Sequence, residues 1–398
     1  MEDTYDIQDR IDRDRIYGCM VGGAVGDALG YVVEFRQWPY IERKYGPRGI
    51  TRFELGPGGK ALISDDTQMA LYTANGILHG MTRGYTRGIM ARPDNYCSYS
   101  YLDWLVTQGA MPAGCEAHLT SWLNHVPNLH ARRAPGNTCL SALVSLARKE
   151  PVNNNSCGCG GVMRTAPIAL ICAMHSYADG SILKSDLVAA EAARITHKHP
   201  LGFIPSAILN HMLRLIMRIH DGPQPQLEHV VEEALDAVQD VISEEDDSKS
   251  YKELWPKYLA TQREIIVKAL DLARTDIPDH EAIERIGGGW TGHEALAISI
   301  YSAVKHSDSF EDAIISSVNH SGDSDSTGAV CGNIMGCLFG RSAIPDYYIR
   351  NLELLDVIEE MSEDIFTGCI ISEYDFERTP EKDRWRQKYI YKLWEPKK

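Results

Sequence analysis

Glycine occupies every fourth position in two distant segments, Gly18, Gly22, Gly26, Gly30 and Gly328, Gly332, Gly336, Gly340. Residues four apart share one face of an α-helix, so each segment reads as a helix carrying a smooth ridge with no side chains. A glycine inside a helix costs about 1 kcal/mol relative to alanine. That cost is offset if another backbone packs closely into the ridge, as small residues allow. A membrane-embedded pair is excluded, because Asp27 lies in the first ridge and no apolar run approaches the ~20 residues of a bilayer span. The two segments are therefore expected to be the central helices of one core, with axes closer than the ~8–10 Å usual for packed helices.

Each ridge adjoins acid. Asp27 and Glu34 accompany the first, and Gly322-Asp323-Ser324-Asp325-Ser326-Thr327-Gly328 leads into the second. A further acidic string, Ser64-Asp65-Asp66-Thr67, lies between them. Neither string contains a Lys or Arg, so clustered carboxylates here need a cation, and an all-oxygen donor set favours hard divalent ions. Ser and Asp are also favoured helix N-caps, and that plainer reading stays open for either string alone. If the strings meet in the fold, the product is a Mg²⁺-type site, with room for two ions. The second string imitates the start of an EF-hand loop, but Ile334 stands where such a loop needs its bidentate Glu.

Elsewhere the legible pattern is helical. Ile208, Met212, Leu215, Ile216 and Ile219 form one apolar stripe, and Val231, Ala234, Leu235, Val238 and Ile242 another. Leu296, Ile300, Ala303 and Val304 form a third, with Ile266, Ala269, Leu270 and Ala273 in the same style. Alternating strand patterns are nearly absent, so the expected class is all-α. A net charge of −15 argues against a nucleic-acid surface, and Arg132-Arg133 is too short to override it. The ten cysteines lack the spacing of a disulfide scaffold and no secretory signal opens the chain, which points to a reduced, cytoplasmic protein. Cys157 and Cys159 lack the second ligand pair of a zinc site.

Residues 39–63 are rich in Gly and Pro and read as a loop feeding the first acidic string. The glycine-rich segment 153–161 would let backbone amides approach an anion, with an ordinary flexible loop as the alternative. Ser243–Ser250 reads as a solvated acidic loop. The chemistry is spread from Asp27 to Asp325 without a dividing linker. One large helical domain over 14–398 is expected, preceded by a charged extension at 1–13.

Seven short pieces, in order, carry a resemblance: Gly22–Gly30, Ser64–Gln68, Ala134–Thr138, Gly158–Arg164, Thr196-His197, Gly289-Trp290 and Gly322–Gly328. Together they resemble the ADP-ribosylglycohydrolases, which include dinitrogen-reductase-activating glycohydrolase and the ADP-ribosylarginine and ADP-ribosylserine hydrolases. The resemblance implies an all-α domain around a binuclear Mg²⁺ site, with Mn²⁺ as a substitute. Ser64, Asp65 and Asp66 would ligate from one side, and Asp323, Asp325 and Ser326 from the other. It further implies that Ser156, Gly158, Gly160 and Gly161, with Gly136, His197 and Trp290, bind ADP-ribose. Glu34 matches a glutamate of serine-type relatives. Base, gate, and salt-bridge partner of Arg36 or Arg43 are all open to it.

The reaction implied is hydrolysis of the bond between ADP-ribose and a protein side chain, arginine first, through an oxocarbenium-like transition state. Asp65, Asp66 and Asp325 are the candidate proton carriers, with Glu34. Three alternatives remain at this stage: an O-linked (serine or metabolite) substrate, a non-catalytic ADP-ribose binder, and an immunity protein opposing an ADP-ribosyltransferase toxin. No membrane or nucleic-acid partner is expected.

Overall fold

A computed structural model describes residues 2–56, 58–89, 91–175, 182–218, 226–241 and 251–395. The side chains of residues 2–11, 182–184 and 240 lie outside the described set. Among the described residues the regular structure is helical. Two isolated bridges, Ala61 to Leu352 and Gly158 to Thr291, are the extended pairings. In chain order the helices begin with α1 (Glu2–Gly30), α2 (Trp38–Tyr45), α3 (Asp65–Arg87), α4 (Pro93–Thr107) and α5 (Asn137–Ala147). There follow α6 (Ala166–Met174), α7 (Ile182–Arg194), α8 (Pro200–Met217), α9 (Leu227–Ala237), α10 (Trp255–Ala273) and α11 (Asp279–Ile286). The last are α12 (Gly292–Lys305), α13 (Phe310–Val318), α14 (Ser324–Phe339), α15 (Asp346–Asn351), α16 (Leu355–Thr367) and α17 (Pro380–Tyr389). The all-α expectation holds.

The glycine ridges meet. α1 and α14 run antiparallel with Gly18 against Gly336, Gly22 against Gly332 and Gly26 against Gly328. A Cβ built on Gly332 would lie 2.0 Å from the carbonyl oxygen of Gly22, and one on Gly336 1.9 Å from that of Gly18. At the far end Gly30 faces Ser324, whose carbonyl oxygen would be 2.1 Å from an added Cβ. No side chain fits at any of these levels, so backbone touches backbone. Asn333 fastens the pair by donating from Nδ2 to the Cys19 carbonyl at 2.9 Å.

Gly340 still abuts Gly18, 2.6 Å from a Cβ built there, but is not part of the helix. It lies one residue beyond α14 as its C-cap, at φ 80°, and donates its N–H to the Gly336 carbonyl. Its left-handed backbone ends the helix, a conformation glycine adopts without Cβ strain. Residues 39–63 also differ from the loop reading, because α2 opens that stretch with Pro39 in its first turn and Trp38 stacked on His280 at 4.3 Å. The stripe from Val231 holds its α-helix only to Ala237, and a tighter turn covers Val238–Asp240. Ile219, Ile242 and Ser243–Ser250 lie outside the described residues. The charged N-terminal segment belongs to the first turns of α1, since that helix starts at Glu2.

Around the central pair, α3 lies against α4, α7 against α8, and α12 against both α10 and α14. Among the described residues no helix is long and apolar enough to cross a membrane. One consequence of the close contact is a reversal of the usual substitution rule. Gly→Ala in an ordinary helix interior gains about 1 kcal/mol, whereas Gly332→Ala must push two backbones apart, an overpacking penalty of roughly 1–3 kcal/mol or more. Urea unfolding of Gly332→Ala should show a lower midpoint than wild type, and an equal or higher midpoint would refute the backbone contact.

Candidate active site and metal centre

Because α1 ends where α14 begins, the acid beside each ridge is delivered to one place. Asp27, on the last turns of α1, is fully buried. Its carboxylate accepts the Ser64 N–H at 3.0 and 3.1 Å, the Thr67 N–H at 3.1 Å, and the Thr67 hydroxyl. These bonds use the unpaired amides at the start of a helix, so Asp27 pins the N-terminus of α3 against α1. Burial raises Asp27 to about 6, opposed by the bonds from Thr67 and Ser64. Sequence reasoning counted Asp27 among the acids of the candidate chemistry but did not give it this helix-pinning role. The available signal was a lone acid in a glycine-rich, apolar helix.

Both acidic strings are helix starts. Ser64 caps α3 by accepting the Asp66 N–H on its hydroxyl at 3.1 Å, and Asp65 and Asp66 form the first turn. Asp323 caps α14 by accepting the Ser326 N–H at 3.3 Å, and Asp325 lies in that first turn. The positive ends of two helix dipoles thus face the carboxylates. The capping and metal-ligand readings are compatible, because each cap leaves other oxygen lone pairs unused.

Carboxylate oxygens of Glu34, Asp323 and Asp325 all lie within 4.8 Å of one another. Burial lifts Asp66 and Asp325 well above the usual carboxylate range; after burial, the strongest charge opposing Asp66 is Asp65 and that opposing Asp325 is Asp66. Burial raises Asp65 and Glu34 to about 8, with Asp323 and Asp27 adding repulsion to both. Asp66 Oδ2 and Ser324 Oγ are buried without a hydrogen-bond partner. Within the described residues no Lys or Arg forms an ion pair with Glu34, Asp65, Asp66, Asp323 or Asp325. The salt-bridge reading of Glu34 therefore fails; Arg36 lies over the Tyr40 ring instead, 5.4 Å from its centroid. An orphaned carboxylate oxygen, like charges at close range and an all-oxygen donor set fit a hard divalent cation. Ser64 and Ser326 bring hydroxyls to the same two helix starts.

The glycine-rich segment forms the adjoining wall. Cys157 accepts the Gly292 N–H at 2.8 Å, Cys159 donates its N–H to the Trp290 carbonyl at 3.2 Å, and the Cys159 thiol donates to Asp323 Oδ2 at 2.8 Å. The wall therefore contacts the carboxylate cluster directly, through a cysteine that sequence reasoning had set aside. Ser156 Oγ accepts the Gly158 N–H at 3.3 Å. A Cβ on Gly160 would lie 2.9 Å from His197 Cε1, and one on Gly161 2.3 Å from the Gly202 carbonyl oxygen. Gly161 is thus a packing glycine against α8. The Gly136 N–H goes to Asp65 Oδ2 at 3.2 Å, which orients that carboxylate.

Arg164 Nη2 donates to Thr196 Oγ1 at 2.7 Å, and that hydroxyl lies 2.9 Å from His197 Nδ1 and 3.5 Å from the Ala193 carbonyl. Burial, with Arg164, pulls the imidazole down to about 3, so the ring is neutral, with Nε2 on the side of Gly158 and Gly160. At the rim Phe35 and Trp290 stack with centroids 5.3 Å apart, and both are exposed, at 64% and 43%. Phe35 adjoins Glu34 and is held at φ 60° with its N–H on the Gly322 carbonyl at 3.2 Å. Sequence reasoning included Trp290 and missed Phe35, whose role depends on a backbone conformation.

A sequence profile described as ADP-ribosylglycohydrolase matches residues 8–373. The chain is 24% identical to an ADP-ribosylhydrolase of Dictyostelium discoideum, covering 91% of this chain and 96% of that protein. It is 25% identical to the ADP-ribosyl-[dinitrogen reductase] glycohydrolase of Rhodospirillum rubrum, over 86% and 91% of the two chains. An ADP-ribosylarginine hydrolase of Pseudomonas putida is 22% identical, over 89% and 78%. Among solved structures, one titled "ADP-ribosylglycohydrolase-related protein complex" matches with a TM-score of 0.58 at 21% identity, covering 90% of this chain and 99% of that one. With the profile spanning nearly the whole fold and the acidic helix starts assembled as above, this chain is an enzyme of the ADP-ribosylglycohydrolase family.

Proposed function

We propose that the protein hydrolyses the bond between ADP-ribose C1″ and an arginine side chain, in a reaction that requires a divalent cation. The observation carrying this reading is the group formed by half-buried Glu34 with buried Asp323 and Asp325, uncompensated by any Lys or Arg ion pair among the described residues and bordered by an exposed aromatic pair. The chain's similarity to the ADP-ribosylarginine hydrolase of Pseudomonas putida supports the arginine acceptor, and that to the Rhodospirillum glycohydrolase supports a protein-bound ADP-ribose.

Ser64, Asp65 and Asp66 on one side and Asp323, Asp325 and Ser326 on the other would hold two Mg²⁺ ions, with Mn²⁺ as a substitute. Such ions supply Lewis acidity and fix the hydroxyls of the distal ribose. The wall from Ser156 to Gly161, which reaches the centre through Cys159 and Asp323, and His197 behind Gly158 and Gly160 would receive the diphosphate and ribose. Once the charge is compensated, Asp65, Asp66 or Asp325 accepts a proton from the attacking water as its oxygen bonds to C1″. The C1″–N bond breaks and the guanidine leaves with a proton. Glu34, at the edge beside Phe35 and Trp290, is assigned to proton transfer on the acceptor side. A planar guanidinium stacks well on an aromatic face, which favours arginine over serine as acceptor. Ten free cysteines suit a cytoplasmic setting.

The carboxylates give a signed pH dependence. Free carboxylates titrate near pH 4, whereas Glu34 and Asp65 are raised to about 8 without a cation. Between those values the folded chain holds more protons than the unfolded one, so stability falls as pH rises. In EDTA the melting temperature should be lower at pH 8.5 than at pH 5.5, and saturating Mg²⁺ should narrow the gap by selective stabilisation at pH 8.5, about 2.7 kcal/mol at a hundredfold excess over Kd. Equal melting temperatures in EDTA would contradict the uncompensated cluster.

The acceptor assignment has its own test. Loss of one aromatic face removes roughly 0.5–2 kcal/mol of cation–π interaction. Trp290→Ala should raise KM for ADP-ribosylarginine about tenfold with little change in kcat, and should affect a serine-linked substrate less. Equal effects on both substrates would remove the argument for arginine.

A further inference from the structure

The C-terminal half of α3 carries a concentration of the opposite charge. Arg83 and Arg87 from α3 and Lys392 from the segment after α17 line one cavity of about 510 Å³, together with His79, Tyr96 and Tyr99. Asp65 and His79 are fourteen residues apart on α3, which at about 1.5 Å per residue places the cavity ~20 Å or more from the carboxylate centre. No Asp or Glu is among its described lining residues. Neither arginine nor Lys392 has an ion pair among the described residues, and Arg83 Nε is buried without a hydrogen-bond partner. The carboxylate whose field reaches Lys392 is Asp103, which lies outside the lining; its Oδ2 accepts the Thr120 N–H at 2.5 Å, the Thr120 hydroxyl at 2.8 Å and the Ser121 N–H at 2.8 Å, while its Oδ1 is buried without a hydrogen-bond partner.

Lys392 is fixed rather than solvated. It sits at φ 62° and donates Nζ to His79 Nδ1 at 2.6 Å and to the Tyr389 carbonyl at 2.5 Å. Burial, with Arg83 and Arg87 beside it, draws its ammonium down to about 7, and draws His79 down to about 3. Gathering cations around one cavity in a chain of net charge −15 is the inverse of the carboxylate problem, and its compensation is an anion. Two guanidiniums form the forked donors that suit phosphate oxygens. Tyr99, 41% exposed and edge-on to His118 at 5.5 Å, offers an aromatic surface beside them. The cavity volume lies within the ~300–1,000 Å³ of ligand sites.

We propose that this cavity is a second binding site, separate from the catalytic centre, for a small phosphate-bearing anion of nucleotide size. The guanidiniums of Arg83 and Arg87 hold the phosphate groups and Tyr99 the planar base. The site is independent of which acceptor the enzyme cleaves.

Calorimetric titration of the full chain in EDTA, with pyrophosphate, ADP and adenosine as probes, tests it. Pyrophosphate and ADP should bind, ADP more tightly, and adenosine at least tenfold more weakly than ADP. Arg83→Gln/Arg87→Gln should weaken both phosphate probes at least tenfold, while Asp325→Ala binds them as wild type does. Arg87 is exposed, so Arg87→Glu alone leaves folding undisturbed and should reproduce the loss, with hydrolysis in the absence of added ADP unchanged. Failure of both phosphate probes to bind wild type, unaltered binding in the arginine variants, or adenosine binding as well as ADP would overturn the proposal. So would loss of ADP binding in Gly160→Val with retention in the arginine variants, which would place the ADP on the glycine wall.

Discussion

The direct contact between the backbones of α1 and α14 is the constraint on which everything else in this molecule depends. Glycines meeting at three successive levels, with Gly30 against Ser324 at the fourth, fix the axial register of the two helices as well as their separation. Register is what matters for chemistry. It sets the end of α1 against the start of α14, so that Glu34, just beyond α1, falls within reach of Asp323 and Asp325. Asp27, one turn from the end of α1, then captures the first amides of α3 and brings Asp65 and Asp66 to the same place.

The assembled centre is unfavourable by itself. Burial disfavours the charged form of each carboxylate, and each neighbour of like charge disfavours it further. Two helix N-termini and the backbone amides of Ser326 and Gly136 recover only part of that loss. The remainder is uncompensated charge in a group of acids that could hold a metal ion. Near α3's other end the same logic runs with the sign reversed, as Arg83, Arg87 and Lys392 share a cavity without a carboxylate among its described lining residues.

Much of this was legible in the sequence because glycine periodicity and unneutralised acid are local signals. The ridges, the acidic strings and the all-α class were read from spacing alone, and the resemblance supplied the wall from Ser156 to Gly161. What escaped was set by tertiary geometry. Gly340 shares the four-residue spacing, yet its left-handed backbone caps the helix. The Gly136 amide was expected to meet ligand, but the fold turns it to Asp65. Asp27 was read among the acids of the chemistry, and the fold uses it to hold the first amides of α3, whereas Cys159 looked structural until its partner Asp323 was in place. Phe35 acquires its stack with Trp290 only through a positive φ. The basic cavity joins residues 83, 87 and 392, a pairing that no sequence window contains.

The junction of α1, α3 and α14 is the proposed divalent-cation centre. Anomalous diffraction from crystals soaked in Mn²⁺ tests it most directly. The account predicts anomalous peaks among Glu34, Asp65, Asp66, Asp323 and Asp325, and their disappearance in Asp325→Ala crystals of unchanged fold. Well-ordered crystals at saturating Mn²⁺ with no peak at that junction, or with peaks only at surface carboxylates, would contradict it.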